Sequence, residues 1–259
     1  MIPKAYIDEW RQFAPWQDNY QVEQDLIISR AINAIYAENN LREKLAFRGG
    51  TALHKLYIQN PARYSEDIDL VQIQSEPFGP VMDQLRDCLS FLGTPTRKQK
   101  EHNNTMIYRF ESNEGLKMKL KIEVNTREHF TVFGYQQIPF EVPSSWHRSK
   151  ESITSFTLEE LLSTKLRALY QRKKGRDLFD LWYAITHLSC RPELILESWR
   201  RYLNEEKHSI TKKEFESNLD AKMQSSQFTS DMNFLIRKGI DYNVSTAMDV
   251  VHKTLIKSI

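Results

Sequence analysis

The sequence predicts an α/β fold in its first half and a purely helical second half. Three observations carry this. The segments "DIDLVQI" (67–73), "NTMIYRF" (104–110) and "LKMKLKIEVN" (116–125) alternate apolar and polar side chains with a period of two. After about residue 150 the apolar residues recur only at helical spacing. Two adjacent glycines, Gly49 and Gly50, join a short apolar run to a helical pattern, in a chain with only 8 glycines among 259 residues. The expected domains are an α/β domain over 1–150 and a helical domain over 151–259.

Taken in order, residues 20–38 place Ile28, Ile32 and Ile35 on one helical stripe. "LAF" at 45–47 reads as a short strand. Thr51 is placed to cap a helix through "TALHKLY", whose Leu53, Leu56 and Tyr57 face inward and which Asn60-Pro61 ends. A strand follows at 67–73, then a helix over 78–93 closed by Gly93. The strands at 104–110 and 116–125 flank the turn "SNEG". Six helices are expected at 157–173, 177–188, 191–203, 211–223, 228–237 and 243–257. There is no internal repeat and no low-complexity tract.

With 40% hydrophobic and 27% charged residues, the composition is that of a soluble globular protein. The longest mostly apolar stretch, "LFDLWYAITHL", contains an aspartate and is too short to span a bilayer. No export signal opens the chain. Cys88 and Cys190 fit no metal spacing, so a reduced, cytoplasmic protein is expected. The net charge of +2 does not announce a nucleic-acid partner, so local clustering must decide.

Asp67 and Asp69 stand two apart on a predicted strand and therefore share a face. Like charges held together need a cation or water, and carboxylate oxygens suit Mg²⁺. Asp-x-Asp also occurs on exposed strand ends without function. In "KMKLKIEVN" the alternation puts Lys117, Lys119, Lys121 and Glu123 on one face. If the strands pair suitably, Glu123 joins Asp67 and Asp69, and three carboxylates can hold two metal ions for in-line displacement at phosphorus. A solvated strand of mixed charge is the plainer alternative for Glu123.

A strand entering Gly49-Gly50 and a helix N-terminus makes a phosphate cradle, because glycine lets the backbone approach the anion and the free N–H groups face it. The Thr51 hydroxyl would add a donor. The pattern is neither a P-loop nor a dinucleotide fingerprint, and Gly-Gly before a helix also serves as an ordinary tight turn.

In the second half, Leu158, Leu161, Leu162, Leu166 and Leu169 form an apolar stripe with Lys165 on or beside it. An inward lysine needs an anion, such as a triphosphate, or an exit by which its head snorkels to water. Residues 161–176 hold six bases and no acid: Lys165, Arg167, Arg172, Lys173, Lys174 and Arg176. Such a patch suits nucleic-acid phosphates, or it is a solvated helix end. Asp177 and Asp180 lie one turn apart. Either orients an acceptor hydroxyl or pairs with Lys165 or Arg176, and Asp177 also suits a helix cap. Arg48 and Arg63 flank the two motifs within reach of phosphate, whereas His54 reads as surface or packing.

Together, "FRGGTALHKLY…RYSEDIDL", Glu123, Lys165-Leu166 and Asp177-x-x-Asp180 resemble the AbiEii-type (MenT-like) nucleotidyltransferase toxins of the DNA polymerase β-like superfamily. The resemblance spans roughly residues 45–185. It implies a polymerase-β-like fold with a mixed sheet and a C-terminal helical bundle that closes the cleft. It also implies an NTP bound by Gly49, Gly50, Thr51 and Lys165, and two Mg²⁺ ions on Asp67, Asp69 and Glu123. Asp177 and Asp180 would assist catalysis, and Arg167, Arg172, Lys173, Lys174 and Arg176 would bind RNA. The implied reaction is transfer of NMP to an RNA acceptor, the tRNA 3′ end, by a toxin of phage defence that has a cognate antitoxin. The residues leave room for a small-molecule or protein acceptor, and for a silent nucleotide- or RNA-binding module.

Overall fold

The computed structural model describes residues 2–259, which form two compact units divided between Phe156 and Thr157. The first contains α1 (Lys4–Trp10), α2 (Asn19–Ala37), α3 (Asn39–Lys44), β1 (Leu45–Arg48) and α4 (Gly49–Ala52), which runs into a π-helical turn, Leu53–Tyr57. Then come β2 (Asp67–Gln72), α5 (Gly79–Cys88), a 3₁₀ turn (Ser90–Leu92), β3 (Thr96–Lys100), β4 (Asn103–Glu111), β5 (Lys117–Asn125), β6 (Gln136–Pro143) and β7 (Arg148–Ser155). The seven strands make one mixed sheet in the order β3-β4-β5-β2-β1-β7-β6. β2 runs parallel to β5 and β1 parallel to β7, and the other neighbours are antiparallel. This is the α/β class with a mixed sheet that the sequence predicts.

One face of the sheet is covered and the other is open around the site. On β4 and β5, Met106, Tyr108, Met118, Leu120, Ile122 and Val124 are buried, and the alternate residues face away. α2 packs against β2, β5, β6 and β7. It buries polar side chains as well, which must then be satisfied. Asp25 accepts hydrogen bonds from Trp10 Nε1 (2.8 Å), Trp16 Nε1 (3.2 Å) and Lys55 Nζ (2.5 Å), tying the N-terminal segment and the π-helical turn to α2.

Three strands lie outside the sequence expectation. β3, "TRKQK", is exposed at all five positions and is ordered mainly by backbone pairing to β4. β6, "QQIPFEVP", carries two prolines, which an edge strand tolerates. β7, "RSKESITS", is polar in sequence, and it carries the α/β unit past residue 150 to Phe156.

The second unit holds α6 (Leu158–Gln171), α7 (Gly175–His187), α8 (Pro192–Glu205), α9 (Lys212–Met223), α10 (Ser226–Thr229) and α11 (Val244–Thr254). Thr157 caps α6 by accepting from Glu160 N, and Thr211 with Glu214 forms a capping box on α9. The helix expected over 228–237 shrinks to the single turn α10 and a run of turns. Phe228 and Met232 are buried there, but Phe234 is 91% exposed and the chain leaves the helix after one turn. No helix is long and apolar enough to cross a membrane among the described residues.

Candidate active site

The first unit brings the glycine pair and the carboxylates together. β1 and β2 pair so that Arg48 lies opposite Asp69, and the chain enters Gly49 directly after. Gly49 adopts φ +83°, which L-residues avoid, and a Cβ built on it would lie 2.2 Å from Asp69 Oδ2. The Asp69 carboxylate therefore rests against glycine backbone where no other residue fits. β2 and β5 run parallel with Asp69 beside Glu123 and Asp67 beside Lys121, so all four side chains share the open face.

Thr51 does not cap the helix, which starts earlier, at Gly49. Its buried hydroxyl is shared with Ser65 Oγ (2.7 Å) and donates to the carbonyl of Asp67. It thus fastens the glycine turn to the first residue of β2. Arg48 is ion-paired with Glu128. Arg63 is 1% exposed and donates to the Tyr64 carbonyl at 3.0 Å, so it is a framework residue. His54 is buried, with Nδ1 accepting from Ala62 N at 3.4 Å.

The electrostatics of the open face are unbalanced. Burial, followed by the neighbouring Asp69, pushes the Asp67 carboxyl from 3.8 up to about 6. Glu66 and Glu123 add to the rise, while Lys121 opposes it. Lys121 Nζ sits 2.7 Å from Glu123 Oε2, and Thr105 Oγ1 donates to Glu123 Oε1 at 3.4 Å. Burial works against the Lys121 ammonium, but Glu123, Asp67 and Asp69 outweigh it and raise its pKa. Lys121 and Thr105 are partners that the sequence reading did not assign. The alternation placed Lys121 on the face, and only the register set it beside Glu123. Among the described residues, no three acidic, imidazole or thiol groups form a ready metal shell. The residues able to hold a hard cation are Asp67 and Asp69, with Glu123 next to them and held by Lys121.

A carboxyl whose folded pKa lies above its unfolded value binds its proton more tightly when folded. Its ionisation then destabilises the fold as pH rises from 3.8 towards 6, and the full cost is present above that. Asp67→Asn is therefore expected to stabilise the cation-free protein at neutral pH by about 1–3 kcal/mol. Calorimetric scans of both proteins in EDTA test this. A lower midpoint for the variant would mean that the Asp67 charge is already compensated.

The second unit holds a separate buried ionic cluster. Lys165 is 5% exposed, and Asp177 and Asp180 are 0% exposed. Lys165 Nζ lies 2.8 Å from Asp180 Oδ2 and 3.4 Å from Asp177 Oδ1. Arg172 reaches Asp177 through both Nε (2.7 Å) and Nη2 (2.8 Å). The lysine assigned to nucleotide by the sequence is thus paired to the two aspartates assigned to catalysis. α7 begins at Gly175, so Asp177 is not its cap.

The basic stretch is largely spent internally as well. Arg167 pairs with Glu206 at 3.1 Å and stacks on Tyr202, and Arg176 pairs with Asp231 at 3.3 Å. With Arg172 on Asp177, three of the five residues expected to bind RNA have intramolecular carboxylate partners, and Lys173 and Lys174 have none among the described residues. Linear charge density does not reveal this, because Glu206 and Asp231 are distant in sequence.

Comparisons with known proteins agree with this architecture. The nucleotidyltransferase toxin MenT4 of Mycobacterium tuberculosis superposes with a TM-score of 0.69 at 14% identity, covering 100% of this chain and 91% of that one. A protein of H. pylori described as a nucleotidyltransferase superposes with a TM-score of 0.55 at 17% identity, covering 93% of this chain and 98% of that one. At these identities the likeness bears on the fold. No curated protein matches the chain. The sequence pattern described as "Nucleotidyl transferase AbiEii toxin, Type IV TA system" matches residues 30–250. With Gly49, Gly50, Asp67, Asp69 and Glu123 inside that span, the chain belongs to the AbiEii nucleotidyltransferase toxin family.

Proposed function

We propose that the protein transfers NMP from an NTP to the hydroxyl of an RNA acceptor, the tRNA 3′ end, with Mg²⁺ on the carboxylate face. The observation that carries this reading is the packing of Asp69 Oδ2 against the backbone of Gly49. It sets the backbone of the glycine turn directly beside a cation-demanding pair of carboxylates. The donor set fits Mg²⁺, since it consists of hard oxygens, and burial together with the neighbouring Asp69 charge, which push Asp67 up, leave a carboxylate that a divalent cation would compensate. Two Mg²⁺ ions on Asp67, Asp69 and Glu123 would supply charge neutralisation and alignment of the triphosphate.

The chain's own residues do the rest. Gly49 and Gly50 offer backbone to the β- and γ-phosphates. Thr51 keeps that turn in register with Asp67 through its bond to the Asp67 carbonyl. Lys121 holds Glu123 oriented on the face. The acceptor oxygen bonds to the α-phosphorus, the bond from that phosphorus to the pyrophosphate oxygen breaks, and the acceptor proton passes to solvent. Lys173 and Lys174 add charge for RNA. Lys165, Asp177 and Asp180 form the ionic core of the helical unit. In this reading the protein works in the cytoplasm as a phage-defence toxin, restrained by a cognate antitoxin.

The test incubates the protein with unfractionated tRNA, Mg²⁺ and each NTP in turn, radiolabelled at the α-phosphate, beside Asp69→Ala. Label on tRNA that the variant does not deposit is the expected result. Label on protein, or on no acceptor, would overturn the RNA assignment.

A further inference from the structure

The open face of β3, β4 and β5 extends well beyond the carboxylates and has no role in the reading above. The registers fix its composition. Thr96, Lys98 and Lys100 on β3 lie beside Ile107, Thr105 and Asn103 on β4. Arg109 and Glu111 on β4 lie beside Lys119 and Lys117 on β5. Lys121 then leads to Asp67 and Asp69 on β2. One sheet face therefore displays Lys98, Lys100, Arg109, Lys117, Lys119 and Lys121. Apart from the carboxylate site, Glu111 is its one acid.

These cations differ from those of α6 and α7. Lys98, Lys100, Lys117 and Lys119 are exposed and have no carboxylate partner among the described residues, and Arg109 donates only to Thr96 Oγ1 at 2.8 Å. The hydrophobic side chains of β4 and β5 face the opposite way, so nothing apolar other than Ile107 interrupts the surface. At the C-terminal end of β5, just past Glu123, the face meets an open groove of about 550 Å³ of mixed charge, in which Lys100, His102 and Arg127 stand with Glu101 and Glu128. Lys117 and Glu123 are six residues apart on one strand, or roughly 20 Å at ~3.4 Å per residue. That distance accommodates several nucleotides of a chain leading to the reacting hydroxyl.

We propose that this open face of β3, β4 and β5 is the docking platform for the phosphate backbone of the RNA acceptor. The proposal rests on the RNA reading of the site and specifies which surface serves it. Charge complementarity selects a polyanion. The near absence of apolar and aromatic groups predicts sequence-tolerant phosphate contact rather than base stacking. Lys117, Lys119 and Lys121 lead along β5 to Glu123 and Asp69, with Lys98 level with Glu123 across β4, so an RNA lying along β5 would bring its end to the carboxylates.

The experiment measures binding of fluorescein-labelled tRNA by anisotropy across a salt series, without NTP. It compares wild type, K98Q/K117Q/K119Q, the charge-retaining K98R/K117R/K119R, and K213Q/K238Q/K253Q, which removes three exposed charges from the second unit. The face variant is expected to lower the slope of log K against log salt by about 2, at ~0.7 per lost phosphate contact. Its acceptor KM should rise at least about tenfold with kcat nearly unchanged, while the arginine variant and the second-unit variant keep wild-type slopes. Wild-type RNA binding with an unchanged slope in the face variant would overturn this proposal and leave the RNA reading standing. No RNA binding by wild type at low salt would overturn both. Lysine-dependent binding of poly-glutamate but not RNA would assign the face to an acidic protein partner instead.

Discussion

Gly49→Ala is expected to reduce nucleotide transfer by at least about 10²-fold, even though it adds one methyl group. The methyl meets Asp69 Oδ2 at 2.2 Å, so either the turn or the carboxylate must move. A displacement on the order of 1 Å at reacting groups costs about that factor. The left-handed conformation adds about 1–2 kcal/mol of strain. Gly115→Ala separates the two effects. Gly115 also has positive φ (+76°), but nothing lies within 4 Å of the added methyl. It should show the loss of stability in urea unfolding while keeping wild-type kcat. Equal activity in Gly49→Ala and wild type would show that Asp69 is not held against the turn during catalysis.

Lys165→Met is expected to cost about 3–5 kcal/mol of stability, a large fraction of the ~5–15 kcal/mol typical of a folded protein. The substitution keeps most of the apolar stem but leaves Asp180 without its 2.8 Å partner, and Asp177 dependent on Arg172. Both carboxylates are fully buried, and removing the cation from a buried ion pair is far costlier than losing a surface pair. Denaturant unfolding of the two proteins reads the effect. A variant as stable as wild type but inactive would return Lys165 to nucleotide chemistry. A variant that unfolds early identifies the Lys165–Asp177–Asp180 cluster as the element that holds α6 to α7.

The parts of the fold legible in sequence were those whose side chains carry a period. β2, β4 and β5 alternate because one face is buried and the other open. α6 to α9 and α11 show apolar residues at helical spacing for the same reason. β3 and β7 have no such signal, and in β6 the alternation of Ile138, Phe140 and Val142 is masked by Pro139 and Pro143. Their positions are set by neighbouring backbones, which offer hydrogen-bond partners to chains of almost any polar composition.

The candidate site divides the same way. By itself the sequence determined the α/β and helical halves, the shared face of Asp67 and Asp69, the glycine pair before a helix, and through these the family. Only the tertiary structure decided who faces whom. It set Asp69 against Gly49, Lys121 against Glu123, and the Thr51 hydroxyl on the Asp67 carbonyl. It also neutralised much of the basic stretch with Glu206, Asp177 and Asp231, and gathered exposed lysines from β3 and β5 onto one sheet face. The physical reason is range. Periodicity records which way a side chain points relative to its own element, whereas charge pairing and close approach depend on strand register and on residues tens of positions away.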